Sequence, residues 1–392
     1  MPQKLLQYGA KKNPAELSEV LAYIFEQNNE LSDQGKRGTP VCIWGTHGLG
    51  KTQLVHDYAK SRGWKFAYIA PAQFEEMGDL HGMPVEYDPT PDQPNSGDEI
   101  TIYYPPDWVP KEEGPGILLL DDMNRADDRI LRGCMQLLQN FELKSWQLPG
   151  KWQIVATANP EGGDYSVTPM DDAMLTRMMH VTMVFDAKAW GKWAMNNEVD
   201  ERGIDFVLTY PETVTGQRTT PRTLTQFFQQ IKGIEDLAAE EEMVRVLGES
   251  ALDSSTVTAF ISFIRDGLQK LMSAEEILTA KDFPTVEKRL NEISFDKTSS
   301  EGNGEPGGET TKRKRVDRLN AQCYRLLRHI CWNENYHADP SHGPNLIAFL
   351  RCSVIPSDLR SALYMDITRE AENGVLELIR DDELAREFLG AL

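Results

Sequence analysis

A glycine-rich octapeptide near the start of the chain contains the residue types that bind phosphate. Glycine lets the backbone wrap around an anion with its N–H groups pointing inward, and the positive end of a following helix adds to the attraction. Lys51 would reach the β- and γ-phosphates of ATP, and Thr52 would be a ligand of Mg²⁺. An ordinary glycine-rich turn is the alternative. The residues predicted to bind the nucleotide are Gly45, Thr46, His47, Gly48, Leu49, Gly50, Lys51 and Thr52.

Two carboxylates follow the apolar run 116–120 at positions 121 and 122. This run is typical of a buried parallel strand, and open α/β sheets bind their ligands at the carboxyl ends of such strands. We therefore predict that Asp121 holds Mg²⁺, directly or through water, and that Asp122 polarises the attacking water. The alternative is that two acidic residues simply end a strand.

Three further polar residues are candidates for catalysis. Asn159 ends another apolar run and could orient the water, although an Asn-Pro turn would also explain it. Arg177 could stabilise the transition-state charge from the edge of a neighbouring subunit. Arg222 follows Pro221, a residue suited to the first turn of a helix, which would direct Arg222 toward the nucleotide. Both arginines could instead form surface ion pairs.

The elements that would position these residues alternate between strands and helices. Alternation of this kind implies an α/β fold with a doubly wound parallel sheet, here of five strands. The predicted strands are 41–44, 66–69, 116–121, 153–158 and 180–185, and the main helices are 51–62 and 128–141. Beyond residue 187 the apolar spacing becomes helical.

The sequence divides into five segments. Residues 299–311 contain almost no apolar residue, which is typical of a flexible linker. The predicted segments are an N-terminal helical lead-in (1–40), an α/β core (41–187), a helical lid and extension (188–298), the linker (299–315) and a C-terminal helical segment (316–392).

Composition limits the partners and the compartment. The formal net charge of the 392 residues is −20, which opposes sequence-blind binding to nucleic acid. No apolar run is long enough to span a membrane, so we expect no membrane span. The five cysteines include no Cys-x-x-Cys pair, which favours reduced thiols and a cytoplasmic location.

Together these motifs resemble the AAA+ ATPases and, among them, the MoxR-like family of the helix-2-insert clade. The resemblance covers about residues 15–235. The corresponding segments are Walker B (118–126), sensor 1 (156–160), the arginine finger (172–177), sensor 2 (220–222), a helix-2 insert (about 78–115) and a second hairpin insert (142–152). One departure is clear, because the family usually has Glu where this chain has Asp122.

The resemblance implies a homo-oligomeric ring, usually a hexamer, with ATP and Mg²⁺ between neighbours and Arg177 acting in trans. It also implies a chaperone-like remodeller of a protein client, in some cases a partner with a von Willebrand factor A domain. One alternative is a nucleic-acid motor, since a related AAA+ branch drives DNA restriction with GTP. Another is an ATP-binding scaffold with little turnover, because Asp122 is shorter than the usual Glu.

Two weaker signals lie in the C-terminal third. A group of cysteines and histidines could bind zinc, although their spacing favours core packing over a metal site. Its members are Cys323, His329, Cys331, His337, His342 and Cys352. The basic run 312–315 could be an anion-binding or nuclear-localisation patch, or a solvated charge run.

Overall fold

The computed structural model describes residues 8–87, 89, 100–162, 166–266, 271–295 and 314–389. The chain forms two compact units, Met1–Ala189 and Trp190–Leu392. The first unit is α/β, and the regular elements among the described residues of the second are all helices, apart from an isolated bridge between Phe295 and Lys314. The predicted fold class is therefore confirmed.

The first unit is built on a parallel sheet with the strand order β1-β10-β2-β9-β6-β3. Its strands are β1 (Ala10–Lys12), β2 (Val41–Trp44), β3 (Lys65–Ile69), β6 (Gly116–Leu120), β9 (Trp152–Ala158) and β10 (Met179–Met183). The four other strands of the described residues form two antiparallel hairpins, β4 (Met83–Tyr87) with β5 (Ile100–Tyr104), and β7 (Glu142–Leu143) with β8 (Trp146–Gln147). Both hairpins lie in the segments predicted as inserts.

Two apolar layers cover the two faces of the sheet, because successive side chains of a strand point in opposite directions. Cys42 and Trp44 pack in one layer, whereas Val41 and Ile43 pack in the other. The helices of this unit are α1 (Pro14–Asp33), α2 (Lys51–Ser61), α3 (Met77–His81), α4 (Asp128–Asn140) and α5 (Asp172–Leu175). Helix α4 contributes to the first layer, and α1 and α2 contribute to the second.

The prediction of five strands in the sheet was wrong, because the described residues form a sheet of six. The additional strand is β1, which pairs in parallel with β10 and precedes the helix expected in the lead-in 1–40. Its sequence, Ala-Lys-Lys, has no apolar alternation, and Ala10 and Lys11 are exposed. Backbone pairing alone defines this strand, so the side-chain pattern carries no signal of it.

The second unit contains twelve α-helices among its described residues, the first of which begins just before residue 190. They are α6 (Ala187–Asn196), α7 (Glu201–Thr209), α8 (Pro221–Ile231), α9 (Glu241–Ala251), α10 (Ser254–Asp266), α11 (Ala274–Leu278), α12 (Phe283–Ile293), α13 (Val316–Leu327), α14 (Gly343–Arg351), α15 (Ser357–Glu370), α16 (Asn373–Leu378) and α17 (Asp382–Leu389). A π-helical turn, Arg328–Trp332, continues α13.

The possible zinc ligands, the predicted linker and the basic run of the C-terminal third can be compared with the structure. Within the described part of the chain, no three His, Cys, Asp or Glu side chains converge on a possible metal position, and Cys323 and Cys352 are buried. Residues 299–313, which include most of the predicted linker and the first half of the basic run, lie outside the described residues. Arg315 forms an ion pair with Asp317. No helix among the described residues is long and apolar enough to cross a membrane.

Candidate nucleotide-binding site

The predicted site residues follow three adjacent strands of the sheet. The glycine-rich loop begins directly after β2, Asp121 directly after β6, and Asn159 directly after β9. These strands are parallel neighbours in the order β2-β9-β6. Their carboxyl ends therefore meet at one edge, where α/β sheets bind ligands.

The loop places the start of α2 at this edge. Gly50 precedes the helix with φ of 93°, a left-handed conformation that glycine adopts without a steric penalty. Gly45 approaches the backbone of β10 so closely that a Cβ atom there would lie 3.0 Å from the carbonyl oxygen of Met183. Two glycines are thus required by the local backbone, and the N-terminus of α2 opens toward the site.

Lys51 is buried inside the loop, with only 6% of its surface exposed. Its Nζ donates to the carbonyl oxygens of Gly45 at 2.8 Å and Thr46 at 3.2 Å, and to Oδ1 of Asn159 at 3.2 Å. The ammonium group therefore lies between the loop and the end of β9. This location places a positive charge where the loop can enclose a phosphate group.

Three hydroxyl groups surround the carboxylate of Asp121. Its Oδ1 accepts hydrogen bonds from Thr52 and Thr157, both at 2.7 Å, and its Oδ2 accepts one from Tyr68 at 3.2 Å. Burial and then the charge of Asp121 raise the pKa of Tyr68, so the phenol stays protonated and remains a donor. The adjacent oxygens of Thr52 and Asp121 are hard ligands, which suit Mg²⁺.

Asp122 lies beside Asn159 and has an unusual backbone conformation. Its φ of 48° is left-handed, a region that aspartate tolerates better than most residues. Its Oδ1 accepts a hydrogen bond from Nδ2 of Asn159 at 3.0 Å, and its Oδ2 lies 3.1 Å from Nε of Arg125. The structure thus brings Lys51, Thr52, Asp121, Asp122 and Asn159 together at one edge of the sheet.

The sequence interpretation overlooked several residues that support this site. Asn124 is fully buried and exchanges two hydrogen bonds with the backbone of Asn159, at 2.8 and 3.0 Å. Tyr68 and Thr157 hold Asp121, and Arg125 pairs with Asp122. Thr157 offered one signal, because it is a polar residue inside an apolar strand. Tyr68 offered none, since its contact depends on the pairing of β3 with β6.

Arg177 does not join this group in its own chain. It precedes β10 by two residues, and the first residue of β10, Met179, pairs with the first residue of β2, Val41. Arg177 therefore lies at the amino edge of the sheet, opposite the carboxyl edge that carries the glycine-rich loop. Its Nε donates to Oε1 of Gln139 on α4, and its guanidinium also binds the carbonyl oxygen of Ala173.

Arg222 lies in the second unit, at the second residue of α8, where it is exposed. Thr220 caps this helix by accepting from the backbone N–H of Thr223, and Pro221 occupies the first helical position as predicted. Any role of Arg222 toward the nucleotide remains a prediction.

Neither the family models nor the curated proteins include a match to this chain. Similar solved structures include three of RuvB from Thermotoga maritima. Two are point mutants. One is 14% identical and covers 72% of this chain and 89% of that chain, with a TM-score of 0.40. The other is 13% identical and covers 72% of this chain and 81% of that chain, with a TM-score of 0.38. The third is described as a Holliday junction branch migration motor. It is 14% identical and covers 70% of this chain and 80% of that chain, with a TM-score of 0.35.

Proposed function

We propose that this chain is a MoxR-like AAA+ ATPase that uses ATP and Mg²⁺ to remodel or activate a protein client. The observation that carries this proposal is the convergence of a buried lysine, a hydroxyl–carboxylate pair and a carboxylate–amide pair at one edge of the sheet. These are Lys51, Thr52 with Asp121, and Asp122 with Asn159. A glycine-rich loop that only formed a turn would need none of these partners.

Each group has a chemical task in the proposed reaction. The loop N–H groups and Lys51 bind the β- and γ-phosphates. Thr52 and Asp121 would hold Mg²⁺, which neutralises phosphate charge when it is bound. Asp122 orients the attacking water and accepts its proton, while Asn159 keeps the Asp122 carboxylate directed toward the phosphate-binding loop. Catalysis by such a site is mainly positioning and electrostatic stabilisation.

The positions of Lys51 and Arg177 support an active site shared between subunits. Within one chain they lie at opposite edges of the sheet, so the arginine of one subunit would serve the ATP of its neighbour. Such head-to-tail contacts generate a ring when the rotation closes. The proposed ring is a hexamer, as the resemblance implies, and Arg222 would act on the nucleotide from the helical unit.

The first hairpin supports a protein client. Met83, Val85 and Tyr87 of β4 alternate onto one face, opposite Tyr104, Ile102 and Ile100 of β5. The side chains of this apolar hairpin face are largely exposed: Met83 (69%), Val85 (37%), Tyr87 (48%), Ile100 (51%) and Tyr104 (57%). Neither strand contains Lys or Arg, so this face has no cation for nucleic-acid phosphate. An apolar protein segment suits it better.

Contacts on the other face of the hairpin anchor it to the second hairpin. The Lys144 ammonium lies 5.5 Å from the centre of the Tyr103 ring, and Ser145 accepts the backbone N–H of Tyr103. These contacts would transmit movement of the ATPase core to the exposed face. We propose a cytoplasmic location, which suits the five free cysteines, and a client partner that could carry a von Willebrand factor A domain.

The test is to compare the wild-type chain with an Asp122→Asn variant. We expect the variant to bind ATP with similar affinity while turnover falls about 10²-fold or more, because the proton acceptor is lost. Turnover, ATP binding and particle mass would be measured with and without DNA. Equal turnover of the two proteins would exclude Asp122 from catalysis, and stimulation by DNA would favour a nucleic-acid motor. Binding without turnover in the wild type would indicate a scaffold.

A further inference from the structure

The side chain of Thr157, near the end of β9, is completely buried and lies between the two carboxylate residues. Its Oγ1 is 2.8 Å from the backbone nitrogen of Asp122 and 2.7 Å from Oδ1 of Asp121. A backbone N–H can only donate, and an ionised carboxylate can only accept. The Thr157 hydroxyl therefore accepts from Asp122 and donates its single proton to Asp121.

The Thr157 hydroxyl donates to the same oxygen of Asp121 that accepts a hydrogen bond from helix α2. Oδ1 of Asp121 accepts from Thr52 and from Thr157 at the same distance, 2.7 Å. Two donors on one oxygen restrict rotation of the carboxylate about its last bond. Thr157 therefore fixes how Asp121 faces Thr52, the residue with which it would hold Mg²⁺.

At Asp122 the same hydroxyl acts on the backbone. Asp122 has φ of 48° and ψ of 43°, a left-handed conformation that costs a non-glycine residue free energy, although aspartate tolerates it better than most. Its N–H points to Thr157, whereas its side chain is directed by Asn159 and Arg125. Loss of the hydroxyl would leave this N–H without its partner and free the backbone to relax.

We propose that Thr157 is a positioning residue that sets the geometry of the metal-binding pair and of Asp122 together. Mg²⁺ binding and activation of the attacking water would then depend on one hydroxyl group. The inference rests on the proposed ATPase function and deepens it. Thr157 acts through Asp121 and Asp122, not by direct contact with the reacting atoms.

The chain offers a matched set of variants. Thr157→Val removes the hydroxyl and keeps the shape, while Thr157→Ser keeps the hydroxyl. Thr182→Val is the control, because Thr182 is equally buried in strand β10 of the same sheet and donates to the carbonyl oxygen of Tyr8 at 2.9 Å. Binding of a fluorescent non-hydrolysable ATP analogue would be measured in EDTA and then during a Mg²⁺ titration, together with ATP turnover.

We expect Thr157→Val to bind the analogue in EDTA within about twofold of the wild type, since Lys51 and the loop are unchanged. The Mg²⁺ concentration for half-saturation should rise about tenfold, and turnover should fall about tenfold or more, as expected for loss of a buried hydrogen bond. Thr157→Ser should restore both values, and Thr182→Val should leave both unchanged. A purely structural threonine would not shift the Mg²⁺ requirement selectively.

An unchanged Mg²⁺ titration in Thr157→Val, or a serine variant no better than valine, would overturn the inference. If the valine variant does not fold, Thr157→Cys makes the same test, because a thiol is a weak donor of similar size. A wild-type chain that fails to bind the analogue refutes the proposed function and the inference with it. If the wild-type chain binds the analogue and the Thr157 variants match it in Mg²⁺ requirement and turnover, only the inference about Thr157 is refuted.

Discussion

Asn159 and Asp122 are joined by a hydrogen bond of 3.0 Å from the side-chain amide nitrogen to a carboxylate oxygen. The amide oxygen of Asn159 accepts from Lys51, so the orientation of the amide is determined by both partners. The same side chain therefore connects the positive and the negative groups of the site. An amide suits this arrangement, because its nitrogen donates and its oxygen accepts within one rigid, neutral group.

We predict that Asn159→Asp lowers ATP turnover at least as strongly as Asn159→Ala. The aspartate has the right shape, but it places a second negative charge about 3 Å from Asp122 and removes the donor. Turnover should fall about 10²-fold, with ATP affinity changed less than turnover. Steady-state hydrolysis and equilibrium binding would measure the two effects. An aspartate variant more active than the alanine variant would contradict this role.

Opposite placement of Lys51 and Arg177 predicts complementation between two inactive variants. Lys51→Ala should abolish ATP binding, and Arg177→Ala should lower turnover by about 10³-fold. In mixed rings, an intact site on one subunit can meet an intact arginine on the next. In an equimolar mixture of the two variants, about a quarter of the interfaces in a head-to-tail ring combine an intact ATP site with an intact arginine. The mixture should therefore recover about a quarter of wild-type turnover.

The measurement is ATP turnover of the mixture against each variant alone. Arg132→Ala is the control, because Arg132 is an exposed arginine on α4 that pairs with Asp128. It should keep wild-type turnover. A mixture no more active than its components would show that Arg177 does not act in trans.

The apolar hairpin face predicts which surface holds the client. Ile100→Lys with Tyr104→Lys should abolish capture of client protein by the Asp122→Asn variant, because lysine cannot be buried against an apolar segment. Both residues are about half exposed, so the free energy of unfolding should change by no more than about 0.5 kcal/mol. Affinity purification with mass spectrometry would measure capture, and thermal unfolding would measure stability.

Tyr23→Lys is the control for this experiment, since Tyr23 is 67% exposed on α1 and lies outside the hairpin. It should leave capture unchanged. Recovery of the same proteins by the hairpin double variant would mean that the client binds elsewhere.

His81 predicts a pH dependence of stability. Burial and then the nearby Lys144 lower its pKa below the ordinary 6.5, so the unfolded chain binds a proton before the folded chain does. Its contribution to stability is therefore present above pH 6.5 and lost as pH falls from 6.5 through the folded pKa. His81→Gln should therefore show a smaller drop in Tm between pH 7.5 and pH 5.5 than the wild type.

Thermal unfolding at the two pH values measures this difference. His337→Gln, at an exposed histidine of the helical unit, is the matched control. An equal drop in Tm for the wild type and the His81 variant would contradict the assignment.

Much of the α/β unit could be predicted because its signals are local. The buried strands 41–44 and 116–120 are apolar throughout, and the loop between β2 and α2 requires its glycines. Polar residues at the ends of adjacent parallel strands necessarily meet at one edge. The contacts of Tyr68 and Asn124 could not be predicted, because they depend on strand pairing and on the path of a turn. Strand β1 could not be predicted for the same reason, since it is defined by its pairing with β10 and its side chains show no strand pattern.

That short first strand also affects how the unit avoids aggregation. An unpaired strand edge is a template for intermolecular β-pairing, and Met179, Val181 and Met183 would make the edge of β10 an apolar one. Strand β1 covers it with three residues, of which Lys11 and Lys12 are charged. A short, positively charged edge is a poor template for another chain. Removal of β1 would uncover β10 and invite pairing between sheets, so this strand would help to keep the unit from aggregating.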